Sequence, residues 1–258
     1  GVLTTSRMER APDGSFAAAV IPGVPGSFPR VDLFLHAPVG AKTGQLLPTG
    51  NAQDQLLGYD VSCVDVAVPM VIARASQFGK TAQETISALE ADAAFMREIR
   101  QLWSAAGLLM GLRRRDGGLM TREELERSET LPKFCIVGPA EGEGNIAVRY
   151  FTPQTGHASL AVSGGCCLAA ACLIPGTVAH ALARGVPPVG REATEIALGI
   201  ENPAGILDTT IVARQPEAAG GITIGSAAYR RSAQILLRGH VPLYQPSTAL
   251  KAWLLKQF

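Results

Sequence analysis

The stretch HASLAVSGGCCLAAACLIPGT (157–177) passes from a polar, glycine-containing turn directly into an apolar, alanine-rich segment. Residues 163–174 read as a helix that is apolar on all sides, and such a helix is buried on every face. Pro175 and Gly176 end it, because proline cannot continue a helix and glycine suits its exit. The pattern therefore favours a central helix wrapped by a sheet.

The predicted start of this helix has the features of a site for a negatively charged group. Ser163 is a strong N-cap residue, and Gly164 and Gly165 have no side chains where the free backbone N–H groups point outward. The helix dipole and these N–H groups favour a carboxylate or a phosphate. The alternative is a tight turn with a cap, which needs no ligand.

Three of the five cysteines of the chain lie in this stretch. Cys167 and Cys172 are predicted to pack as small hydrophobic residues. Cys166 is a candidate nucleophile, because a helix start stabilises a thiolate, but no local histidine or aspartate pattern accompanies it. The odd number of cysteines and the lack of CxxC or CxxxH spacing predict reduced thiols, no metal site and a cytoplasmic protein.

The composition indicates a compact globular protein. The chain has 258 residues, of which 47% are hydrophobic and 17% charged, and this length suits two domains of ordinary size. A formal net charge of +1 argues against nucleic acid as a partner. No run of 18 apolar residues and no signal-peptide pattern is present, so we expect neither a membrane span nor export.

The remaining pattern predicts an α+β protein with many strands and a few helices. A helical period runs from Thr81 to about Met110, and the end of the chain (245–258) is typical of a short amphipathic helix. Pro69 is expected to bend a valine-rich pair of strands, and the charged stretch 113–130 is expected to be a solvated surface. Strands are predicted at 15–22, 30–36, 59–75, 133–139, 145–152, 193–200, 205–215 and 220–243.

Several separated motifs, in order over residues 30 to 243, resemble one known family. They are GQLLPTG (44–50), VSCVDVAVPMVIARASQFGKT (61–81), VRYFTPQTGHASLAVSGGCCLAAACLIPGTV (148–178) and NPAG (202–205). This combination is similar to the PrpF-type family of 2-methylaconitate isomerases and 4-oxalomesaconate tautomerases.

The resemblance implies the diaminopimelate-epimerase-like fold, in which two similar domains each curl a sheet around a central helix. We expect residues 1–57 to be the remnant of an incomplete N-terminal domain and residues 58–237 to be the complete C-terminal domain. Whether the C-terminal tail, about 238–258, returns to the first domain is left open. The sequence has no initiator methionine, so we expect a fragment or a processed product.

The activity that the resemblance implies is the cofactor-free movement of a proton and a double bond in a small unsaturated di- or tricarboxylate. The expected partner is that carboxylate, and a homodimer is left open. Ser163, Gly164 and Gly165 match the helix start that binds a substrate carboxylate in the family. His157 stands where the family has a histidine, as a substrate contact or as a structural donor.

Two residues of the linker loop (41–55) are further candidates for substrate binding, because the loop matches the region near the opening of the family's cleft. Lys42 could pair with a carboxylate, and Thr49 lies in the same loop. The alternative for Lys42 is an exposed lysine that serves only solubility.

Departures from the family pattern limit what can be carried over. The acid–base pair of the family, a lysine with a cysteine or other polar partner, is expected upstream of Gly1, so the catalytic residues stay unknown. Val68 replaces the asparagine of the Asn-Pro pair in amino-acid epimerases, and Ser163 replaces their second cysteine. An amino-acid epimerase is therefore the weaker alternative, after a carboxylate-binding or interaction protein without catalysis.

Overall fold

The computed structural model describes residues 3–216, 221–234, 236–237, 239 and 242–256. The strands, in chain order, are β1 (Thr4–Arg7), β2 (Ala18–Ala19), β3 (Phe28–His36), β4 (Asp54–Leu56), β5 (Tyr59–Val66), β6 (Val68–Arg74), β7 (Lys133–Gly138), β8 (Ile146–Thr152), β9 (Thr155–Gly156), β10 (Thr194–Asn202), β11 (Gly205–Arg214) and β12 (Thr223–Ser232). The helices are α1 (Ile86–Ala91), α2 (Ala93–Leu109), α3 (Arg122–Arg127), α4 (Val162–Leu173), α5 (Val178–Leu182) and α6 (Thr248–Leu254), and a 3₁₀ helix spans Ala75–Phe78.

Within the described residues the strands form one sheet in the order β1-β3-β12-β11-β10-β8-β7-β6-β5-β4, with β2 beside β3 and β9 beside β8. The pairs β6–β7 and β8–β10 are parallel and the other pairs are antiparallel. The predicted α+β class is confirmed.

Helix α4 is the centre of the molecule. It contacts β5 and β6 on one side and β11 and β12 on the other, so the sheet curls around it. Every residue from Gly164 to Leu173 is buried. The predicted central helix, 163–174, is confirmed to within one residue at each end, as is its termination before Pro175 and Gly176.

A second apolar layer covers the outer face of the β5–β8 half of the sheet. Helix α2 supplies its largest side chains, which include Phe95, Ile99, Leu102 and Trp103, and they pack on Phe134 and Phe151 of the sheet. This half of the sheet is therefore buried on both faces, which explains why β5, β6, β7 and β8 are apolar almost throughout.

Two local predictions need correction. The reversal between β5 and β6 occurs at Ala67, whose φ is 62°, and Pro69 lies within β6 before its pairing with β7 begins at Met70. The single helix predicted over 81–110 is two helices, because Asp92 ends α1 and caps α2 by accepting a hydrogen bond from the Phe95 N–H. The charged stretch 113–130 is mostly exposed, as predicted, and it contains the short helix α3.

The end of the chain agrees with the prediction where it is described. The strand expected within 220–243 is confirmed as β12, and the helix near the C-terminus is confirmed as α6. Parts of both predicted segments lie outside the described residues, at 220, 235, 238, 240, 241, 257 and 258.

The segment predicted as a domain remnant, 1–57, is joined to the rest of the chain by hydrogen bonds where it is described. Strand β3 pairs with β12 along seven residue pairs, from Arg30 opposite Ser232 to His36 opposite Ser226. The division of the chain into domains at 57 and 237 stays a prediction.

Tyr229 of β12 fixes the approach to α4. Its hydroxyl donates a hydrogen bond to the Leu160 carbonyl over 2.6 Å, and its ring lies against Gly165. We expect Tyr229→Phe to lower the free energy of unfolding by about 1–2 kcal/mol, because the buried Leu160 carbonyl loses its partner. Chemical denaturation measures this change. Tyr244→Phe is the control, because Tyr244 is 87% exposed, and an equal effect of the two variants would contradict the prediction.

Candidate functional site

A cavity of about 390 Å³ lies at the start of α4. Its walls come from the first strand, the end of β3 with the following loop, the turn between β5 and β6, and the first turn of α4. The lining residues are Thr4, Leu35, Ala37, Pro38, Ala41, Ala67, Val162 and Ser163. Ser163 is thus the residue of the predicted Ser-Gly-Gly site that lines this cavity.

The first turn of α4 presents unpaired backbone donors. Ala161 is the N-cap residue, which corrects the prediction of Ser163, and no side chain caps the helix. The Gly165 N–H donates to the Ala161 carbonyl over 2.8 Å. Within the described residues, the N–H groups of Val162, Ser163 and Gly164 have no acceptor, so the partial positive charge of the helix dipole is available at this end.

Gly164 and Gly165 have a packing role that the sequence did not predict. Both are buried, and a side chain at either position would meet an aromatic ring instead of the cavity. A Cβ at Gly164 would overlap the Tyr150 ring, and a Cβ at Gly165 would come within 2.8 Å of the Tyr229 ring. The two glycines therefore make room for tyrosines that pack across the first turn of α4.

Two walls of the cavity have strained backbone. Ala37 and Ala67 have φ angles of 46° and 62°, in the left-handed region that residues with a Cβ seldom adopt. The Ala67 N–H donates to the Pro38 carbonyl over 2.7 Å, which ties the two walls together. Strain of this kind persists where the surrounding structure fixes it, and it is found often at functional sites.

Lys42 is the predicted substrate-binding residue that lies beside the cavity, next to Ala41 of the lining. Its side chain is exposed. Its backbone N–H donates to Asp65 Oδ2 over 2.8 Å, whereas its ammonium group has no partner in the described part of the chain. The backbone of Lys42 is therefore fixed while its charge is free.

Thr49 and His157 are bonded elsewhere and are not among the residues that line the cavity. The Thr49 hydroxyl donates to Asp54 Oδ2 over 2.7 Å. The half-buried His157 ring accepts a hydrogen bond at Nδ1 from the Ser159 N–H over 3.0 Å and lies edge-on to Tyr150. These contacts favour a structural role for both residues in the described state.

Cys166 does not have the environment of a nucleophile. Its side chain is fully buried, and burial raises the pKa of the thiol to about 12, whereas a reactive thiol needs a lowered pKa. Burial likewise raises the pKa of Cys63 and Cys172 to about 12. All five cysteines are buried and free, so we interpret Cys166 as part of the core.

Asp65 is a residue whose importance the sequence interpretation missed. Asp65 is 0% exposed within β5. Its carboxylate accepts hydrogen bonds from the backbone N–H groups of Lys42 and Thr43. The signal in the sequence was a charged residue between Val64 and Val66 in an apolar strand.

The described residues contain neither a metal-binding cluster nor a helix suited to a membrane. No group of three or more histidine, cysteine, aspartate or glutamate residues is placed to hold a metal ion in this part of the chain. Among the described helices, none is long and apolar enough to cross a membrane.

Comparisons with known proteins identify relatives for most of the chain. The family model described as PrpF protein matches residues 12–244. The chain is 34% identical over 235 residues to the (4E)-oxalomesaconate Delta-isomerase of Novosphingobium sp. (strain KA1), and the aligned part covers 90% of this chain and 60% of that protein. It is 36% identical over 163 residues to the 4-oxalomesaconate tautomerase of Pseudomonas putida, with coverage of 63% and 42%.

A third curated relative and a solved structure extend the comparison. The YbhH protein of Escherichia coli (strain K12) is 37% identical over 192 residues, which cover 74% of this chain and 49% of that protein. The crystal structure of a methylitaconate-delta-isomerase matches with a TM-score of 0.73 and 23% identity, over 91% of this chain and 62% of that one, and this likeness confirms the fold. The chain spans about half the length of the curated relatives it matches.

The contact between Gly164 and Tyr150 leads to a prediction about stability. Alanine favours helices by about 1 kcal/mol over glycine, yet we expect Gly164→Ala to lower the free energy of unfolding by about 1–3 kcal/mol because the buried Tyr150 ring has no room to move. Thermal and chemical denaturation measure the change. Gly190→Ala is the control, because no atom lies within 4 Å of the added Cβ; a stabilised Gly164→Ala protein would contradict the packing argument.

Proposed function

This chain belongs to the PrpF protein family, and we propose that its protein is a cofactor-independent isomerase or tautomerase of a small unsaturated di- or tricarboxylate. The proposed reaction moves one proton and, with it, one double bond. Relatives that bear the names oxalomesaconate isomerase and oxalomesaconate tautomerase support this class of reaction. Because substrate and product have the same oxidation state, the chemistry needs no redox partner.

The observation that carries the proposal is the cavity at the start of α4. Three backbone N–H groups that have no acceptor among the described residues, those of Val162, Ser163 and Gly164, lie at this end of the helix. A helix start of this kind stabilises a carboxylate through hydrogen bonds and the helix dipole. The free ammonium group of Lys42, carried by the loop beside the cavity, adds a mobile positive charge for a second carboxylate.

The same arrangement suits the reaction chemically. Removal of a proton from carbon next to a carboxylate leaves an enolate-like negative charge, and fixed dipoles that already point at this charge lower its energy. The N–H groups of α4 are such dipoles, because the helix is held rigidly by the sheet around it. The reaction also needs a base and an acid at the carbon atoms that lose and gain the proton.

The acid–base pair is proposed to lie on residues that this sequence does not contain. Among the described residues that line the cavity, Thr4 and Ser163 contribute the hydroxyl groups and the other side chains are aliphatic. Neither hydroxyl is an adequate base by itself at neutral pH. The same observation favours the second candidate function, carboxylate binding without turnover by this chain.

Proton exchange in deuterated water tests the proposed function. We expect the full-length protein to exchange a C–H proton of 4-oxalomesaconate or 3-methylitaconate for deuterium in the presence of EDTA, as followed by proton NMR. Binding of these compounds without exchange would favour the second candidate, and the absence of both would contradict the proposal.

A charge placed at Ser163 tests the binding site itself. We expect Ser163→Asp to weaken the binding of a dicarboxylate by about tenfold, because a second negative charge then lies at the helix start. Ser163→Asn is the matched control, with nearly the same shape and no charge. Titration calorimetry measures both affinities, and an affinity of Ser163→Asp equal to that of Ser163→Asn would contradict the role of the helix start.

A further inference from the structure

The segment 37–46, called the wall loop from here on, carries Lys42 and forms one side of the cavity. It lies against the end of β5, where Val39 is bridged to Val66 and the neighbouring Asp65 makes the hydrogen bonds that follow. The Gly40 N–H donates to the Asp65 carbonyl over 2.8 Å, and the Asp65 N–H donates to the Leu46 carbonyl over 3.0 Å. The two ends of the wall loop are therefore both bonded to the backbone of Asp65.

The Asp65 side chain holds the middle of the same loop. Its Oδ2 atom accepts hydrogen bonds from the Lys42 N–H over 2.8 Å, the Thr43 N–H over 2.8 Å and the Thr43 hydroxyl over 2.9 Å. Bonds to a carboxylate are stronger than bonds between neutral groups. One oxygen atom thus fixes the two residues at the tip of the wall loop.

We infer that Asp65 is a positioning residue, which holds the wall loop so that the Lys42 ammonium group lies at the rim of the cavity and pairs there with a substrate carboxylate. This inference rests on the proposed function. Asp65 is not among the residues that line the cavity, so it acts through Lys42 and does not touch the substrate.

Burial of this carboxylate is unfavourable for the core alone. Asp65 is fully buried between Val64 and Val66, and its Oδ1 atom has no hydrogen-bond partner in the described part of the chain. An apolar side chain would fill a core position without this desolvation cost. The residue is therefore explained by what Oδ2 does for the wall loop.

The shape of the wall loop leaves little freedom around Lys42. Gly40 has a φ of 67°, and a Cβ there would come within 2.5 Å of the Gly44 backbone. A glycine is required at Gly40 for this closure. Because the backbone of Lys42 is already fixed, only its side chain has to be ordered when a carboxylate binds, which lowers the entropy cost of binding.

A double-mutant cycle with mesaconate, a small unsaturated dicarboxylate, tests the inference. We expect Lys42→Ala and Asp65→Asn each to weaken binding by about twofold to fivefold. If Asp65 acts through Lys42, the double variant binds no more weakly than Lys42→Ala does. The controls are Lys251→Ala and Asp60→Asn. Lys251 is an exposed lysine on α6. Asp60 lies on β5, as Asp65 does, and its carboxylate accepts a hydrogen bond from the Gln55 side chain.

Amide hydrogen exchange measures, without any ligand, how firmly the Asp65 carboxylate holds the Lys42 and Thr43 amides. We expect the Lys42 and Thr43 amides to exchange at least about tenfold faster in Asp65→Asn than in the wild-type protein, because the neutral amide is a weaker acceptor. Thr43→Val removes the hydroxyl bond to Asp65 and two longer hydroxyl bonds to the Gln45 backbone, and it leaves both backbone N–H bonds to Asp65 Oδ2 in place. It is the milder variant should Asp65→Asn fold poorly. It is expected to change exchange and affinity in the same direction by a smaller factor.

The outcomes separate this inference from the proposed function. If the fold changes in mesaconate affinity of the two single variants multiply in the double variant, the inference is overturned, because Asp65 then acts on the structure independently of Lys42. Unchanged mesaconate affinity in Lys42→Ala would overturn it too, while weaker binding by Ser163→Asp would leave the proposed function intact. A wild-type protein that binds no dicarboxylate would overturn both.

Discussion

The burial of α4 is the constraint on which the rest of the structure depends. The helix is apolar on every face from Gly164 to Leu173, so no single layer of structure could cover it. The sheet meets this need by curling, with β5 and β6 on one side and β11 and β12 on the other. Because the sides of the helix are closed, its start is where the polar backbone meets the cavity, and this gives the fold a site for a negative charge.

The shape of the cavity depends on contacts that hold its walls in place. Tyr150 and Tyr229 pack across the first turn of α4 and require glycine at 164 and 165. On the opposite wall, Asp65 holds the wall loop through its backbone and its side chain. The first turn of α4 and the wall loop, which are distant in sequence, therefore form two walls of one cavity.

The sequence predicted well those features that depend on the residue types within one short segment. The central helix and its end were predictable because an all-apolar run before Pro175 has few other solutions. The N-cap residue was misplaced by two positions, since the cap is set by the extended backbone of Ala161 and not by the residue type. The roles of Gly164 and Gly165 were missed for a related reason: Tyr150 and Tyr229 reach them only through the curvature of the sheet.

The proposed carboxylate site at the start of α4 is tested most directly by a titration of the ¹⁵N-labelled protein with mesaconate, followed by amide chemical shifts. We expect the shifts of Val162, Ser163 and Gly164 to change most and to saturate with one dissociation constant. Unchanged shifts at these three amides, with saturating changes elsewhere in the protein, would contradict it.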